Sequence, residues 1–394
     1  MQNTNLIAKS FLKNFIFQSS CMSLPITSDS SSDFIKDAAE PRSILLSTGG
    51  TGGHIFPALA LKKTLETHGF NVKITADSKF TKYHPFDNDH LFIPSANFVD
   101  KSPLKLLSSL LTLTKGFLQS LWYIYKQKPE LVIGFGGYAT YPTLLAAIVL
   151  GKEIILHEAN TVIGKVNRLL LWKAKYLTTG FKIIHGVSPK YKDKVIFTGN
   201  PIRSEIIATA LKTTTDKLSI LIIGGSQGAK IFSKMIPDMI INLPQEIKNK
   251  LYICQQVREE DIDLIKARYA KENIACEIQS FFKDMNKKFS QANLVIARSG
   301  ASTISEIIKV GLPAIFIPYP SAADDHQYYN AKEIVDMGAG WLVKETGDSH
   351  IQLLQIVKTI NKDPSILTKY SAKLKEMDQD ACENIVKLIK DLLG

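Results

Sequence analysis

A unit made of an apolar run, a glycine-rich loop and a helix recurs along this chain and limits what it can fold into. Three such units begin with predicted strands at Ser43–Ser47, Leu131–Ile133 and Leu218–Ile223, and the glycine loops after them reach His54, Tyr138 and Ala229. Repetition of strand, loop and helix is typical of a parallel sheet with helices on both faces. Because the pattern restarts beyond the middle of the chain, we predict an α/β protein with two doubly wound, Rossmann-like domains in tandem.

The other elements and the length agree with two domains. Further apolar runs predict strands at Ile154–Leu156, Leu251–Cys254, Leu294–Ala297, Ala314–Ile317 and Trp341–Val343. Pro57 is a favoured first residue for the helix after the first glycine loop, and the tail from Asp363 onward is amphipathic and helical. At about 150 residues per domain, 394 residues make two domains. We assign 43–199 to the first domain, 200–217 to a hinge and 218–394 to the second domain.

Two segments require a decision about targeting or membrane insertion. Residues 1–42 combine a weak apolar patch, Phe15–Phe17, with a polar run, Ser28–Asp33, and they lack the longer apolar core of a secretory signal. We expect a disordered extension there. The charge-free stretch Leu131–Gly151 is long enough to cross a bilayer. Its glycines and Pro142 favour a strand, a loop and a helix instead, because an unpaired loop in hydrocarbon is prohibitive.

The charge balance favours anionic partners. There are 48 Lys and Arg residues against 37 Asp and Glu, a net charge of +11 with a pI near 9.2. Such a surface attracts nucleotides, phospholipid headgroups or nucleic acid, and composition alone does not choose among them. Four cysteines lie far apart without a C-x-x-C pair, which favours reduced thiols over a disulfide scaffold or a zinc site.

The glycine loops predict sites for phosphorylated ligands. Ligands bind beyond the carboxyl ends of parallel strands, where glycines let the backbone approach a phosphate and a helix N-terminus supplies free N–H groups. None of the loops matches the phosphate loop of ATPases or the dinucleotide fingerprint with its ribose-binding acid. The sequence therefore argues against an ATPase and against a dinucleotide-dependent redox enzyme.

The stretch from Arg298 to Glu306 has two interpretations. Thr303 could be the N-cap of a helix, with Glu306 reaching back in a capping box. Alternatively, the small residues bring backbone N–H groups to a diphosphate and Glu306 accepts hydrogen bonds from ribose hydroxyls. Both can hold. Further on, Asp324–Gln327 offers imidazole and carboxamide groups for sugar hydroxyls, or is simply another helix start.

Metal binding is not predicted. Two D-x-D patterns, Asp87–Asp89 and Asp261–Asp263, resemble the carboxylate pairs that hold a divalent ion on a nucleotide diphosphate. The first lies in a polar loop and the second on a probable helix, where the side chains diverge. We interpret both as coincidental, and we expect neither metal nor cofactor.

Several separated motifs together resemble the MurG family of glycosyltransferases, from about Ile44 to the C-terminus. The motifs are Gly49–His54 with Pro57, Gly134–Tyr138, His157–Asn160, Gly199–Arg203, Gly224–Ala229, Arg298–Glu306, and Asp325–Gln327 with Asn330 and Ala331. The resemblance implies the two-domain GT-B fold, with the active site in the interdomain cleft. It also implies an inverting, metal-independent transfer of GlcNAc from UDP-GlcNAc to the muramyl 4-hydroxyl of undecaprenyl-diphospho-MurNAc-pentapeptide in peptidoglycan synthesis.

The resemblance also implies roles for individual residues. The donor site comprises Thr51, Gly52, Gly53, Asn160, Arg203, Ser226, Phe282, Ala301, Ser302, Thr303, Ile304, Ser305, Glu306 and Gln327. His54 matches a candidate general base, and Phe282 lies where the family's backbone meets uracil. The chain departs from the family pattern twice. Cys254–Val257 replaces H-Q-x-G, and Ala159 replaces the glutamine of H-E-Q-N.

Partners and rival functions follow from the same reasoning. A lipid-linked acceptor requires work at a membrane surface without crossing it. We predict a peripheral protein on the cytoplasmic face of the inner membrane, with possible cell-wall synthesis partners and no nucleic acid. An apolar helical face with lysines around it would bind anionic lipid. The residues of this apolar face are Leu104, Leu107, Leu110, Leu111, Phe117, Leu118, Leu121 and Trp122. The alternatives are a transferase for another lipid acceptor such as diacylglycerol, a UDP-GlcNAc epimerase, and a nucleotide-sugar-binding subunit.

Overall fold

The structure is a computed structural model that describes residues 41–83, 90–95, 103–208, 211, 217–225 and 229–394. The predicted extension lies almost wholly outside the described residues, as do Ser226 and the acidic pattern at 87–89. The central part of the predicted hinge is also outside them.

The described residues form β-strands in two groups. The first group is β1 Ser43–Ser47, β2 Asn71–Ala76, β3 His90–Phe92, β4 Leu131–Gly134, β5 Glu153–Glu158, β6 Tyr176–Thr179 and β7 Val195–Phe197. The second group is β8 Leu218–Ile223, β9 Leu251–Gln256, β10 Ala275–Gln279, β11 Leu294–Ala297, β12 Ala314–Phe316 and β13 Gly340–Leu342.

Helices connect the strands. The first half contains α1 Gly52–Thr67, α2 Phe80–Tyr83, α3 Pro103–Gln127, α4 Tyr141–Val149 and α5 Lys165–Leu170. The second half contains α6 Phe232–Ile241, α7 Gln245–Lys248, α8 Ile262–Lys271, α9 Met285–Gln291, α10 Ala301–Val310, α11 His326–Asp336, α12 Ser349–Lys362, α13 Ser365–Met377 and α14 Ala381–Leu393. The helical tail is therefore confirmed.

Both sheets are parallel throughout and doubly wound. The first has the order β3-β2-β1-β4-β5-β6-β7, and the second has the order β10-β9-β8-β11-β12-β13. The α/β fold with two Rossmann-like domains is confirmed. The strand order reverses between β1 and β4 and again between β8 and β11, so the loops after these four strands flank the crevices in which such sheets bind ligands.

Each sheet is buried on both faces. In the first half, α3, α4 and α5 pack on one face of the sheet, with Ile124, Leu144 and Val166 in the core. On the opposite face, α1 contributes Ile55 and Leu61. Burial on both sides explains why the central strands are nearly continuous apolar runs, which made them visible in the sequence.

The last helix departs from the predicted domain boundary. Ile385, Val386 and Ile389 of α14 are buried in the core of the first sheet, against α1. His68 at the end of α1 lies 3.0 Å from a Glu383 oxygen, which adds a polar contact. We assigned α14 to the second domain with the rest of 218–394, yet it packs on the first sheet. Its amphipathic pattern identifies a buried face but not the sheet that buries it.

The apolar face predicted on α3 is divided between core and surface. Phe117 and Leu121 are partly buried against the core, whereas Leu118 and Trp122 are 58% and 61% exposed. The side chain of Leu104 lies outside the described part. None of the helices among the described residues combines the length and the apolar character that crossing a bilayer requires.

Candidate active site

The loop after β1 is built by glycine and Asp77. Gly49 and Gly50 have φ values of 143° and 81°, conformations that favour glycine. The Asp77 carboxylate, just beyond β2, accepts from Gly50 N (3.1 Å) and Lys79 N (3.3 Å). A Cβ on Gly49 would lie 2.8 Å from Asp77 Oδ1. The loop therefore takes one fixed path into α1.

The helix α1 begins earlier than predicted, at Gly52 rather than Pro57. Pro57 lies inside the helix and has no N–H to offer the carbonyl of Gly53, one turn earlier. That carbonyl instead lies 3.5 Å from Ser302 Oγ of the second half, which donates to it. The proline thus leaves a backbone acceptor facing the other half of the molecule.

His54 lies in the first turn of α1. Its Nδ1 is 3.4 Å from Thr51 Oγ1. A Cβ on Gly137 of the loop after β4 would come within 3.2 Å of the same nitrogen, so glycine makes room for the ring. Burial lowers the pKa of His54 below its ordinary value of 6.5, although the nearby Glu158 carboxylate opposes this effect. The imidazole is therefore neutral at pH 7 and able to accept a proton.

Glu158, at the end of β5, is a buried carboxylate that fixes the next loop. It accepts from Asn160 N (3.1 Å) and Asn160 Nδ2 (3.3 Å), from Gly164 N (2.8 Å) and from Asn167 Nδ2 (2.9 Å). Four N–H donors hold this carboxylate in place. Sequence reasoning quoted Glu158 within a motif but gave it no role, although an acid at the carboxyl end of a buried strand was a usable signal.

Asn200 joins this loop to the second half. Its Nδ2 donates to Ala159 O and to Ser305 Oγ, both at 3.0 Å. Its Oδ1 accepts from Nε2 of the buried His157, also at 3.0 Å. Burial lowers the pKa of His157 to about 4, so this ring is neutral at physiological pH.

The helix α10 begins at Ala301 with Gly300 as its N-cap, so the capping box expected at Thr303 is not formed. Glu306 turns instead to Arg203, whose Nε and Nη2 donate to Glu306 Oε1 at 3.1 and 2.7 Å. Burial raises the pKa of Glu306, and the Arg203 guanidinium opposes this effect. The first turn of α10 thus keeps its backbone N–H groups for other partners, as a helix N-terminus does.

Asn330 connects the two halves at the cleft. Its Oδ1 accepts from the N–H and the hydroxyl of Thr161, both at 2.9 Å. Its Nδ2 donates to Asn160 Oδ1 and to Ser299 O, both at 3.1 Å. Asn160 of the first half is therefore held directly beside the loop that precedes α10.

The other predicted site residues have assigned places as well. Gln327, near the start of α11, accepts from Tyr319 N at 2.9 Å. The side chain of Phe282 is buried in the core of the second half. The structure thus brings Thr51, Gly52, Gly53 and His54 to the side of the cleft that faces α10. Within the described part of the chain, no three His, Cys, Asp or Glu side chains cluster closely enough to hold a metal ion.

Comparison with known proteins agrees with this arrangement. Residues 44–179 match the glycosyltransferase family 28 N-terminal domain, and residues 219–387 match the family's C-terminal domain. A protein of Wolbachia sp. subsp. Drosophila simulans is 42% identical over 318 residues, which are 80% of this chain and 88% of that protein. The chain belongs to glycosyltransferase family 28. Family 28 relatives of this chain include proteins named UDP-N-acetylglucosamine--N-acetylmuramyl-(pentapeptide) pyrophosphoryl-undecaprenol N-acetylglucosamine transferase, in the Wolbachia strain and in Rhizobium etli.

Two further comparisons extend along the whole fold. The Rhizobium etli protein is 37% identical over 87% of this chain and 93% of its own length. The crystal structure of Acinetobacter baumannii MurG superposes with a TM-score of 0.73 at 29% identity, covering 89% of this chain and all of that one. The resemblance to this glycosyltransferase family is confirmed.

Proposed function

We propose that the protein transfers GlcNAc from UDP-GlcNAc to the muramyl 4-hydroxyl of undecaprenyl-diphospho-MurNAc-pentapeptide, completing the lipid-linked disaccharide of peptidoglycan. The observation that carries the proposal is the 42% identity to a transferase of that name over 80% of the chain. The match spans both halves, which together form the cleft.

The donor is proposed to lie against α10. The N–H groups of its first turn, Ala301–Ile304, stabilise the diphosphate together with the positive end of the helix dipole. Arg203 already occupies Glu306 Oε1, so Oε2 is the oxygen that we assign to the ribose hydroxyls. The backbone at Phe282 meets uracil, while Asn160 and Gln327 bind the sugar.

In the reaction that we propose, the acceptor oxygen attacks the anomeric carbon while the bond from that carbon to the UDP oxygen breaks. The configuration inverts because attack and departure occur on opposite faces. The hydroxyl proton passes to a ring nitrogen of His54, which burial keeps unprotonated at pH 7. General base catalysis of this kind contributes about 10²–10⁴ in rate.

A transfer assay tests the proposal directly. The purified chain is incubated with labelled UDP-GlcNAc and the lipid-linked muramyl pentapeptide, and a labelled lipid disaccharide is the expected product. Diacylglycerol in place of that acceptor tests the rival lipid transferase. Conversion of the sugar without any acceptor would identify an epimerase and overturn the proposal.

Transferase activity is expected to survive treatment with EDTA. If EDTA abolished the activity and Mg²⁺ restored it, the metal-independent mechanism would be contradicted.

We also propose that the outer surface of α3 and the turn after α5 bind an anionic membrane. Six apolar side chains there are each more than half exposed: Leu107, Leu110, Leu111, Leu118, Trp122 and Trp172. Lys126 and Lys173 lie 5.2 and 4.9 Å from the ring centres of the two tryptophans. Apolar side chains next to lysines suit a bilayer surface with anionic lipid. The described cysteines are free thiols, in keeping with the cytoplasmic face.

Liposome flotation tests this second proposal. Binding is expected to rise with phosphatidylglycerol content and to fall with salt. The double variant Trp122→Ser/Trp172→Ser should float less than the wild type. Leu264→Ser, which changes a similarly exposed residue on α8, is the matched control and should float normally. Equal flotation with neutral and anionic vesicles would overturn the proposal.

A further inference from the structure

A cavity lies where the chain crosses between the two halves. It has a volume of about 350 Å³ and is bordered by both connections, 199–202 and 376–379, as well as by α10 and α11. The connections touch each other, since a Cβ on Gly199 would lie 2.9 Å from Gln379 Cβ. Any change in the angle between the halves must therefore reshape this cavity.

The lining combines apolar and acidic side chains. The apolar residues are Phe181, Phe197, Ile202, Ile308, Met337 and Met377. Three carboxylates, Glu333, Glu376 and Asp378, line the cavity with one basic residue, Lys182. This local excess of acid contrasts with the net charge of +11 of the whole chain.

The three carboxylates differ in their partners. Asp378 pairs with Lys309 at 2.9 Å, and the exposed Glu376 pairs with Lys373 at 3.3 Å. Glu333 instead accepts from two backbone N–H groups, those of Lys182 (3.0 Å) and Ile183 (3.4 Å). Its charge, already partly buried, is the one that an ammonium group in the cavity would meet.

The cavity is connected to the active site by Asn200. This residue lines the cavity and contacts Ala159 O and Ser305 Oγ, both at 3.0 Å. Ala159 precedes the proposed sugar-binding Asn160, and Ser305 precedes Glu306. An occupant that shifts Asn200 would therefore move both walls of the donor site.

We propose that this cavity is a regulatory site for a small amphipathic amine, that is, a protonated amino group on a short apolar body. The volume lies within the range of small-molecule sites, which often occur at domain interfaces. The ammonium group binds at Glu333, and the apolar body packs on the methionines, whose flexible side chains adapt to varied shapes. Occupancy alters the affinity for UDP.

Binding is tested without any donor or acceptor, so the outcome does not depend on the proposed function. The probes are 3-phenylpropylamine and its neutral counterpart 3-phenylpropanol, followed by saturation-transfer NMR. The amine is expected to bind about fivefold more tightly than the alcohol, because this ratio corresponds to the free energy that a partly exposed ion pair contributes. Equal affinities would overturn the assignment to an amine, and no binding of either probe would overturn the site.

Two variants locate the probe. Met337→Trp places a larger side chain at the cavity mouth and should abolish binding, whereas Ile351→Trp on α12 should not. The replaced residues are 52% and 51% exposed, so both variants should fold. Glu333→Gln keeps one oxygen that can accept from the N–H of Lys182, the shorter of the two backbone contacts. This variant should weaken binding of the amine but not of the alcohol. Unchanged amine binding in Met337→Trp or in Glu333→Gln would overturn the proposal.

Calorimetry with UDP tests the coupling. Saturating amine should change the Kd of UDP about fivefold or more, and UDP must change the Kd of the amine by the same factor. Met337→Trp should remove the effect. An unchanged Kd for UDP in the presence of bound amine would overturn the regulatory role.

Discussion

The helices α1 and α10 open onto the same cleft with a similar local structure and different chemistry. Each follows a buried parallel strand, begins with small residues and has no side-chain hydrogen bond at its N-cap. In α1 the first turn carries a titratable ring, His54. In α10 the first turn carries small residues, and its carboxylate is already paired with Arg203. In the function that we propose, the same loop-to-helix geometry serves proton transfer in one half and anion binding in the other.

Replacing the imidazole of His54 in α1 should have the largest effect, which is on kcat. We expect His54→Gln to lower kcat by about 10²–10⁴, because the glutamine cannot take the acceptor proton. The Kd of UDP should stay within about twofold, because we place the nucleotide against α10 and not against His54. Steady-state kinetics and calorimetry with UDP measure the two quantities. A fully active variant would remove His54 as the base and leave it as part of the loop lining.

Breaking the contact between the two loops should have the next largest effect. Asn330→Ala removes the four hydrogen bonds of the Asn330 side chain. Two are with Thr161, one is with Asn160 and one is with Ser299. We expect the free energy of unfolding to fall by about 1–3 kcal/mol, since buried polar groups lose their partner. Chemical denaturation measures the change.

The matched control is Asn242→Ala. Its amide donates only locally, to Asp238 O in α6 at 2.7 Å, and its removal should cost less than about 0.5 kcal/mol. Equal losses in the two variants would show that the contact at Asn330 does not stabilise the fold specifically.

Changing the carboxylate of α10 tests its side of the comparison. Glu306→Gln keeps an oxygen for Arg203 and removes the negative charge. We expect UDP to bind about tenfold more weakly, because a charge-assisted hydrogen bond to ribose is lost. Uridine should lose the same factor, whereas inorganic diphosphate should bind unchanged. If UDP affinity is the same in both proteins, Glu306 does not bind the ribose.

The pH dependence should show a smaller difference between α1 and α10. His54, the base that we propose, must be unprotonated to act, and its pKa lies below 6.5 because burial disfavours the imidazolium. We expect kcat/KM to be flat above pH 6.5 and to fall by at most tenfold per pH unit below the lowered pKa. Uridine affinity should not follow that fall. A rate that already declines on acidification from pH 7.5 would contradict a lowered pKa at the base.

Strands were predicted correctly from the sequence where burial on both faces makes them continuous apolar runs. Strands in the middle of each sheet, such as β1, β8 and β11, are apolar runs and were predicted at or near their observed bounds. The strands β2 and β10 were missed because polar residues interrupt them, whereas the edge strand β13 was predicted. Asn71–Ala76 contains a lysine and Ala275–Gln279 contains a glutamate, so neither is a continuous apolar run.

The loops of the candidate site could be predicted from the sequence, but the contacts between residues far apart along the chain could not. Glycine patterns and family motifs located His54 and Ala301–Glu306. The partners of Asn330 lie 169 and 170 positions away along the chain, and no spacing rule reaches that far. Likewise, Glu306 matched a capping box by local spacing, but it binds Arg203, 103 positions away.

The placement of α14 has a consequence for how the protein is made. Ile385, Val386 and Ile389 complete the core of the first sheet, yet they are synthesised long after Val195–Phe197, the last strand of that sheet. The first half therefore emerges with its α1 face uncovered and keeps apolar surface exposed until α14 has been made. During that interval, a chaperone or an intramolecular substitute must shield the surface, and a chain that terminates before α14 would leave it exposed permanently.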